Sequence, residues 1–346
     1  MPIALSPSEI FRLLDISNAK LLLGKKETDP TLWRILSDAQ KGKTQTAYQK
    51  TKDKVDRLLR GNVARISGVT PTDPSLLDQI EQTPDGSEWE VCISAFEHGL
   101  TTAETKPPTF FSTEATRLDR ASRPIKTLIE AGEFELALQE IKRVDMPSTP
   151  SFDNILGQIE CGRGSERFIA SACPIVIYTT LYLLACWEVD YTLGDEPSNA
   201  AFLPIRSDGK DIRPMTRWLG FLRTKFELTT ISSLAEFLLT TIDEDSSVPE
   251  LKKWYYRGVI PAWSRVPTIA TSLAQKLSPD DREQIEFELI CRLAVLRILN
   301  GLLDFGLEIQ KHHHPAFNPM ALFQDYSLML AYAEERKKGL PTGTDR

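Results

Sequence analysis

The stretch Arg167–Asp190, "RFIASACPIVIYTTLYLLACWEVD", decides how the whole chain is read. Between Arg167 and Glu188 it contains no Asp, Glu, Lys, Arg or His. It is just long enough for a membrane span, which needs about 20 apolar residues. Arg163 and Arg167 on one side, with Glu188 and Asp190 on the other, would even suit an oriented insertion. Three features favour water. Pro174 suits the first position of a helix, where its missing N–H costs nothing. A helix starting there and ending at Trp187 spans roughly 14 residues, a length typical of a core element. Tyr178, Thr179, Thr180 and Tyr182 carry polar atoms that lipid leaves without partners. The segment is therefore expected to be the buried central helix of a water-soluble fold, residues 174–187, with a buried strand as the alternative that its strand-favouring residues leave open.

Composition agrees. Of 346 residues, 41% are hydrophobic and 26% charged, values of a globular chain with a sizeable core. Net charge is −7, which excludes a globally basic nucleic-acid binder. The charge is uneven: residues 1–65 hold 13 basic and 7 acidic side chains, so the remainder is strongly acidic. Such asymmetry points to an acidic partner. The five cysteines are scattered, with no CxxC pair, as in reduced buried thiols. No apolar leader with a cleavage site opens the chain, and the expected location is cytoplasmic.

Helix-start signals recur along the sequence. Ser6-Pro7-Ser8-Glu9 forms a capping box, and Asp29-Pro30, Asp73-Pro74 and Ser278-Pro279-Asp280-Asp281 repeat the cap-then-proline pattern. Helices are expected over 87–100, 112–131, 134–144, 233–242, 250–257 and 319–337, with Gly132 as a break. The longest is expected over 280–311, apolar over a wide arc and edged by Arg297, Asn300, Asp304, Glu308 and Lys311. Asp208-Gly209 lacks alternating flanks and predicts no hairpin. The chain reads as all-α, or nearly so: a multi-helix globular bundle around the central apolar helix. An N-terminal helical region, 1–150, with its basic segment 1–65, precedes a C-terminal helical domain, 151–338, and a disordered tail, 339–346. "TTAETKPPTFF" (101–111) and "MPSTP" (146–150) are the linker candidates, and 194–214 reads as irregular.

Within this organisation, "AGEFELALQEI", Ala131–Ile141, resembles the turn and second-helix start of a tetratricopeptide repeat. Gly132, Phe134 and Ala137 stand at the glycine, aromatic and small positions of that family. The resemblance covers about a dozen residues, Ile125 stands where glycine is expected, and no second copy follows at the period of about 34 residues. The segment therefore reads as a helical hairpin.

Four constellations carry possible chemistry. His312, His313 and His314 form a run, but neighbours on a helix diverge by about 100°. Pro315 disfavours helix at His314, and a helix end suits imidazoles against the negative dipole end. Asn300-x₃-Asp304-x₃-Glu308 is a ladder of oxygen ligands that, with His312 and His313, would suit a divalent cation. It is similar to the second magnesium motif of class I terpene synthases, also all-α; that resemblance implies a metal-dependent helical enzyme. The family's middle ligand is usually Ser or Thr, and no aspartate-rich partner motif is present. "GQIECGRGSER", 157–167, offers glycines, Arg163 and Arg167 for an anion. On a helix through residues 41–65, Lys50, Lys54, Arg57 and Arg60 would form a wet basic face able to follow the phosphates of a nucleic acid, an alternative function weakened by Asp53 and Asp56. No HExxH, GxSxG, Walker or GxGxxG motif occurs. The leading expectation is a soluble helical protein acting through protein–protein contacts, as an adaptor or subunit of a larger assembly. No cofactor is expected beyond a possible divalent metal. Trp254, Tyr255, Tyr256 and Trp263 are candidate interface anchors.

Overall fold

A computed structural model of the chain describes residues 3–5, 9–10, 13–14, 109–162, 165–191, 197–239, 248–262, 265–277, 282–312 and 314–339. The expected helix starts before residue 101, the basic side chains Lys50, Lys54, Arg57 and Arg60, and Arg163, Trp263, Ser278–Asp281 and His313 lie outside these residues. Leu128–Leu340 make one compact unit, and the described residues before Leu128 belong to a second.

The described residues are almost wholly helical. Helix α1 (Phe110–Glu130) starts at Thr109, whose Oγ1 accepts from the Ser112 N–H at 3.1 Å. Gly132, at φ 78, closes its end as expected, with the Glu133 N–H donating to the Leu128 carbonyl at 2.8 Å. Helix α2 (Phe134–Arg143) follows, then α3 (Pro150–Cys161). Thr149 caps α3, accepting from the Phe152 N–H at 3.3 Å, and Pro150 takes the first helical position. Gly157–Cys161 are thus helical rather than a loop, and their N–H groups face along α3.

The apolar stretch is helix α4, Ser165–Asp190, of 26 residues. Pro174 lies inside it and does not begin it, a correction to the expected start. A proline within a helix costs about 3 kcal/mol. Burial of Phe168, Ile175, Ile177 and Leu181, at about 1.5–3 kcal/mol each, outweighs that. Of an 18-residue apolar window within Arg167–Asp190, 83% is buried inside the protein. Its polar atoms find partners: the Thr179 and Thr180 hydroxyls donate to the Ile175 and Val176 carbonyls at 3.0 and 2.6 Å. The Tyr178 hydroxyl donates to the Pro147 carbonyl at 2.7 Å. Helix α4 is the core helix that the composition called for.

Beyond α4 the 3₁₀ turn Asn199–Phe202 leads to strands β1 (Ile205–Ser207) and β2 (Lys210–Ile212), paired antiparallel with Ile205 opposite Ile212. Asp208 and Gly209 turn between them at φ 51 and 72, the paired positive values of a tight hairpin turn. The expectation of no hairpin at Asp208-Gly209 is overturned. The strands are three residues each and hardly buried, so no alternating apolar pattern announces them.

Helices α5 (Pro214–Lys225), α6 (Ile231–Leu239), α7 (Val248–Arg257), α8 (Val266–Leu277) and the first half of α9 (Arg282–His312) enclose a second apolar cluster. Trp218, Leu234, Trp254, Leu273 and Leu293 are central to it. Helix α9 extends over 31 residues, close to its expected span, and its second half packs on α4. The last expected helix is two, α10 (Pro319–Gln324) and α11 (Tyr326–Lys338). The break falls at Asp325, whose carboxylate accepts from the Ser151 N–H at 3.1 Å, at the positive end of α3. Helices α3, α9, α10 and α11 surround α4.

Candidate functional site

The polar stripe of α9 faces α5 and the chain after α7. Arg213, at the entry to α5, donates from Nη1 to Asn300 Oδ1 at 2.9 Å and pairs with Asp304 Oδ1 at 2.8 Å. Asn300 Nδ2 donates to Asp304 Oδ2 at 3.2 Å. One helical turn nearer the N-terminus, Arg297 Nη1 donates to the Pro261 carbonyl at 2.7 Å. Gly258 ends α7 at φ 62, and a Cβ there would stand 2.3 Å from Arg213 Cβ. The stripe is therefore a bracket that fixes α7 through its C-terminal loop. The guanidinium of Arg213 holds the two ladder residues that a divalent cation would need. Glu308, farther along, pairs with His312 at 3.1 Å. Among the described residues no three His, Cys, Asp or Glu side chains gather as metal ligands.

Helix α7 has two contrasting faces. Leu251 and Trp254 are buried, Tyr255 packs against the same cluster, and the Thr216 hydroxyl donates to the Tyr255 carbonyl at 2.6 Å. Trp254 is thus a core residue, not an interface anchor. Lys252, Lys253, Tyr256 and Arg257 lie outward, with Tyr256 70% exposed, and Val259 follows them just past the helix. Among the described residues none of the three cations has an acidic partner. The Tyr256 ring, edge-on to Tyr255 with ring centres 5.1 Å apart, stands in solvent flanked by cations.

A different part of the same unit brings together two of the sequence candidates. Arg167 on α4, His312 at the end of α9 and His314 beyond it line one cleft of about 650 Å³. Gln158 and Cys161 of α3 and Ser171 of α4 complete its polar lining, while Ala170, Pro315 and Ala316 are apolar. Sequence spacing could not show this, since Arg167 and His312 belong to helices far apart in the chain.

A buried polar network that sequence reasoning missed joins α4, the 3₁₀ turn, α9 and α11. Tyr326 donates to Glu188 Oε2 at 2.7 Å, and the Asn199 N–H donates to Glu188 Oε1 at 3.1 Å. Arg292, 2% exposed, donates to Asn199 Oδ1 and, at 2.7 Å, to the Pro197 carbonyl. Its guanidinium also stands 4.9 Å from the Phe202 ring centre. These groups bind one another and fasten the helices.

Burial, then the Glu188 charge, pushes the Tyr326 hydroxyl well above its usual range, and burial does the same to Tyr178. Burial also raises the Cys291 thiol to about 11. The consequence is a sharp alkaline limit. Above about pH 10 an unfolded tyrosine releases its proton while the folded one keeps it, so rising pH favours unfolding. The stabilisation is fully present below the unfolded value and declines above it by about 1.4 kcal/mol per pH unit for each tyrosine. Urea midpoints are expected to hold steady to about pH 8.5, where Cys291 begins to contribute, and to fall steeply above about pH 10. Tyr178→Phe should shallow that fall; an equal slope in the variant would refute the assignment.

Comparison with known proteins returns no match: no family model, no curated protein and no solved structure matches this chain.

Proposed function

We propose that the protein is a helical adaptor that docks an acidic surface of a partner protein on the outer face of α7. The observation that carries this reading is Tyr256, 70% exposed on a helix whose opposite face, Leu251 and Trp254, is locked in the core. A bare aromatic held at low conformational cost, ringed by Lys252, Lys253 and Arg257, has the make-up of an interface anchor with a charged rim. The chain is net negative, at −7, so this local positive face contrasts with its surroundings and steers acidic partners. The bracket of Arg213, Asn300, Asp304 and Arg297 supports the same reading, because it keeps the loop after α7, and with it the helix, in register.

A photoreactive phenylalanine at position 256 in the native host tests it. The expected result is a discrete protein adduct mapping to an Asp/Glu-rich segment of the partner. Lys253→Glu/Arg257→Glu, both exposed, should abolish the adduct without lowering the melting temperature. Tyr256→Ala should weaken the purified complex by about 2 kcal/mol, or about thirtyfold. Adducts to nucleic acid, or adducts indifferent to charge reversal, would replace this reading.

A further inference from the structure

We propose that the cleft between the end of α3, the start of α4 and the turn after α9 is a binding site for a small organic phosphate. Arg167 supplies a planar fork of N–H donors, the geometry that matches phosphate oxygens, and it makes no ion pair among the described residues. His314 adds an imidazole from the facing turn, beside His312, whose Nε2 is paired with Glu308. None of the described lining residues is acidic. Glu308 reaches the edge of the cleft through its pair with His312 at 3.1 Å, while Glu160 is held by Lys142. The two N–H groups of the Arg167 fork and a ring N–H of His314 together match the three terminal oxygens of a phosphomonoester.

The size of the cleft argues for more than a bare ion. About 650 Å³ falls within the range of sites for organic ligands, and Ala170, Pro315 and Ala316 give the organic part an apolar wall. In the wall, Gln158 Oε1 and His314 Nδ1 are shut off from solvent without a hydrogen-bond partner. Unmet polar atoms of this kind are uncommon in folded proteins, and a small rearrangement on binding would let the His314 ring donate to a phosphate oxygen, while the Gln158 oxygen is left for a donor on the organic part. The site shares no residue with α7, so its failure would leave the adaptor reading standing, and the reverse holds too.

Calorimetric titration of the full chain with phenyl phosphate is the test, with inorganic phosphate and benzoate as separate arms. Saturable binding of phenyl phosphate is expected, tighter than that of inorganic phosphate, which lacks a ring to lie on the apolar wall. Arg167→Gln, an exposed substitution, should weaken it by about tenfold or more while the melting temperature holds. Ala316→Trp, on the exposed turn, should block it by filling the cleft with Arg167 intact. Absence of saturable phenyl phosphate binding, equal affinity in Arg167→Gln, or benzoate binding as tightly would each overturn the proposal.

Discussion

Gly258→Val is expected to destabilise the protein by about 3 kcal/mol or more, a large fraction of the roughly 5–15 kcal/mol that holds a domain folded. Two causes act together. At φ 62 a β-branched residue is strained by about 1–2 kcal/mol. Its Cβ would also lie 2.3–2.8 Å from the Cβ, Cδ and Cγ of Arg213. That side chain cannot step aside, because Asn300 and Asp304 hold its guanidinium. Gly209→Val is the matched control: its φ is 72, but nothing lies within 4 Å of the added Cβ. Denaturant melts of both variants separate backbone strain from the contact. Arg213→Ala in the Gly258→Val background should recover part of the loss; equal costs at Gly258 and Gly209 would disprove the steric account.

Trp218→Ala should cost about 3–5 kcal/mol, since a fully buried indole leaves a cavity that its neighbours cannot fill. Trp218 is 1% exposed at the heart of the cluster formed by α5 to α9. The informative companion is Trp218→Phe. The indole Nε1 is buried with no hydrogen-bond partner, and such a donor carries a desolvation penalty of about 1–3 kcal/mol. Removing that penalty offsets much of the lost area, so Trp218→Phe should lie within about 1 kcal/mol of the native protein. Circular dichroism followed through urea unfolding measures both. A phenylalanine variant as unstable as the alanine one would show that the indole nitrogen is not orphaned.

Where the sequence was legible, it was so because local chemistry and burial agree. The Gly132 break and the long α9 follow from a left-handed turn and from a wide apolar arc, both readable over a few turns of chain. Pro174 misled because a local rule, proline at a helix start, was overridden by packing on every side of α4. Asp325 divides α10 from α11 through a bond to Ser151, a partner far away in sequence and absent from any helical periodicity. The oxygen ladder on α9 was correctly seen as a polar edge, but its use depends on Arg213, in a segment read as irregular. The convergence of Arg167 with the histidines was likewise hidden, because it is a property of how α3, α4 and α9 pack. Lys252, Lys253 and Arg257 did leave a signal: they alternate with Leu251 and Trp254 at helical spacing, which separates an outer from an inner face.

The segment Met146–Pro150 has a consequence for how the chain can be cut. It carries the composition of a connector, yet its Pro147 carbonyl receives the Tyr178 hydroxyl and its Thr149 side chain caps α3. Circular permutation that opens new termini there would strip a buried phenol of its acceptor and unwind the first turn of a helix. The Asp208–Gly209 turn, held among the described residues by its own short ladder and the Arg206–Asp211 ion pair, is the place where a protease nick or a relocated terminus would leave the rest intact.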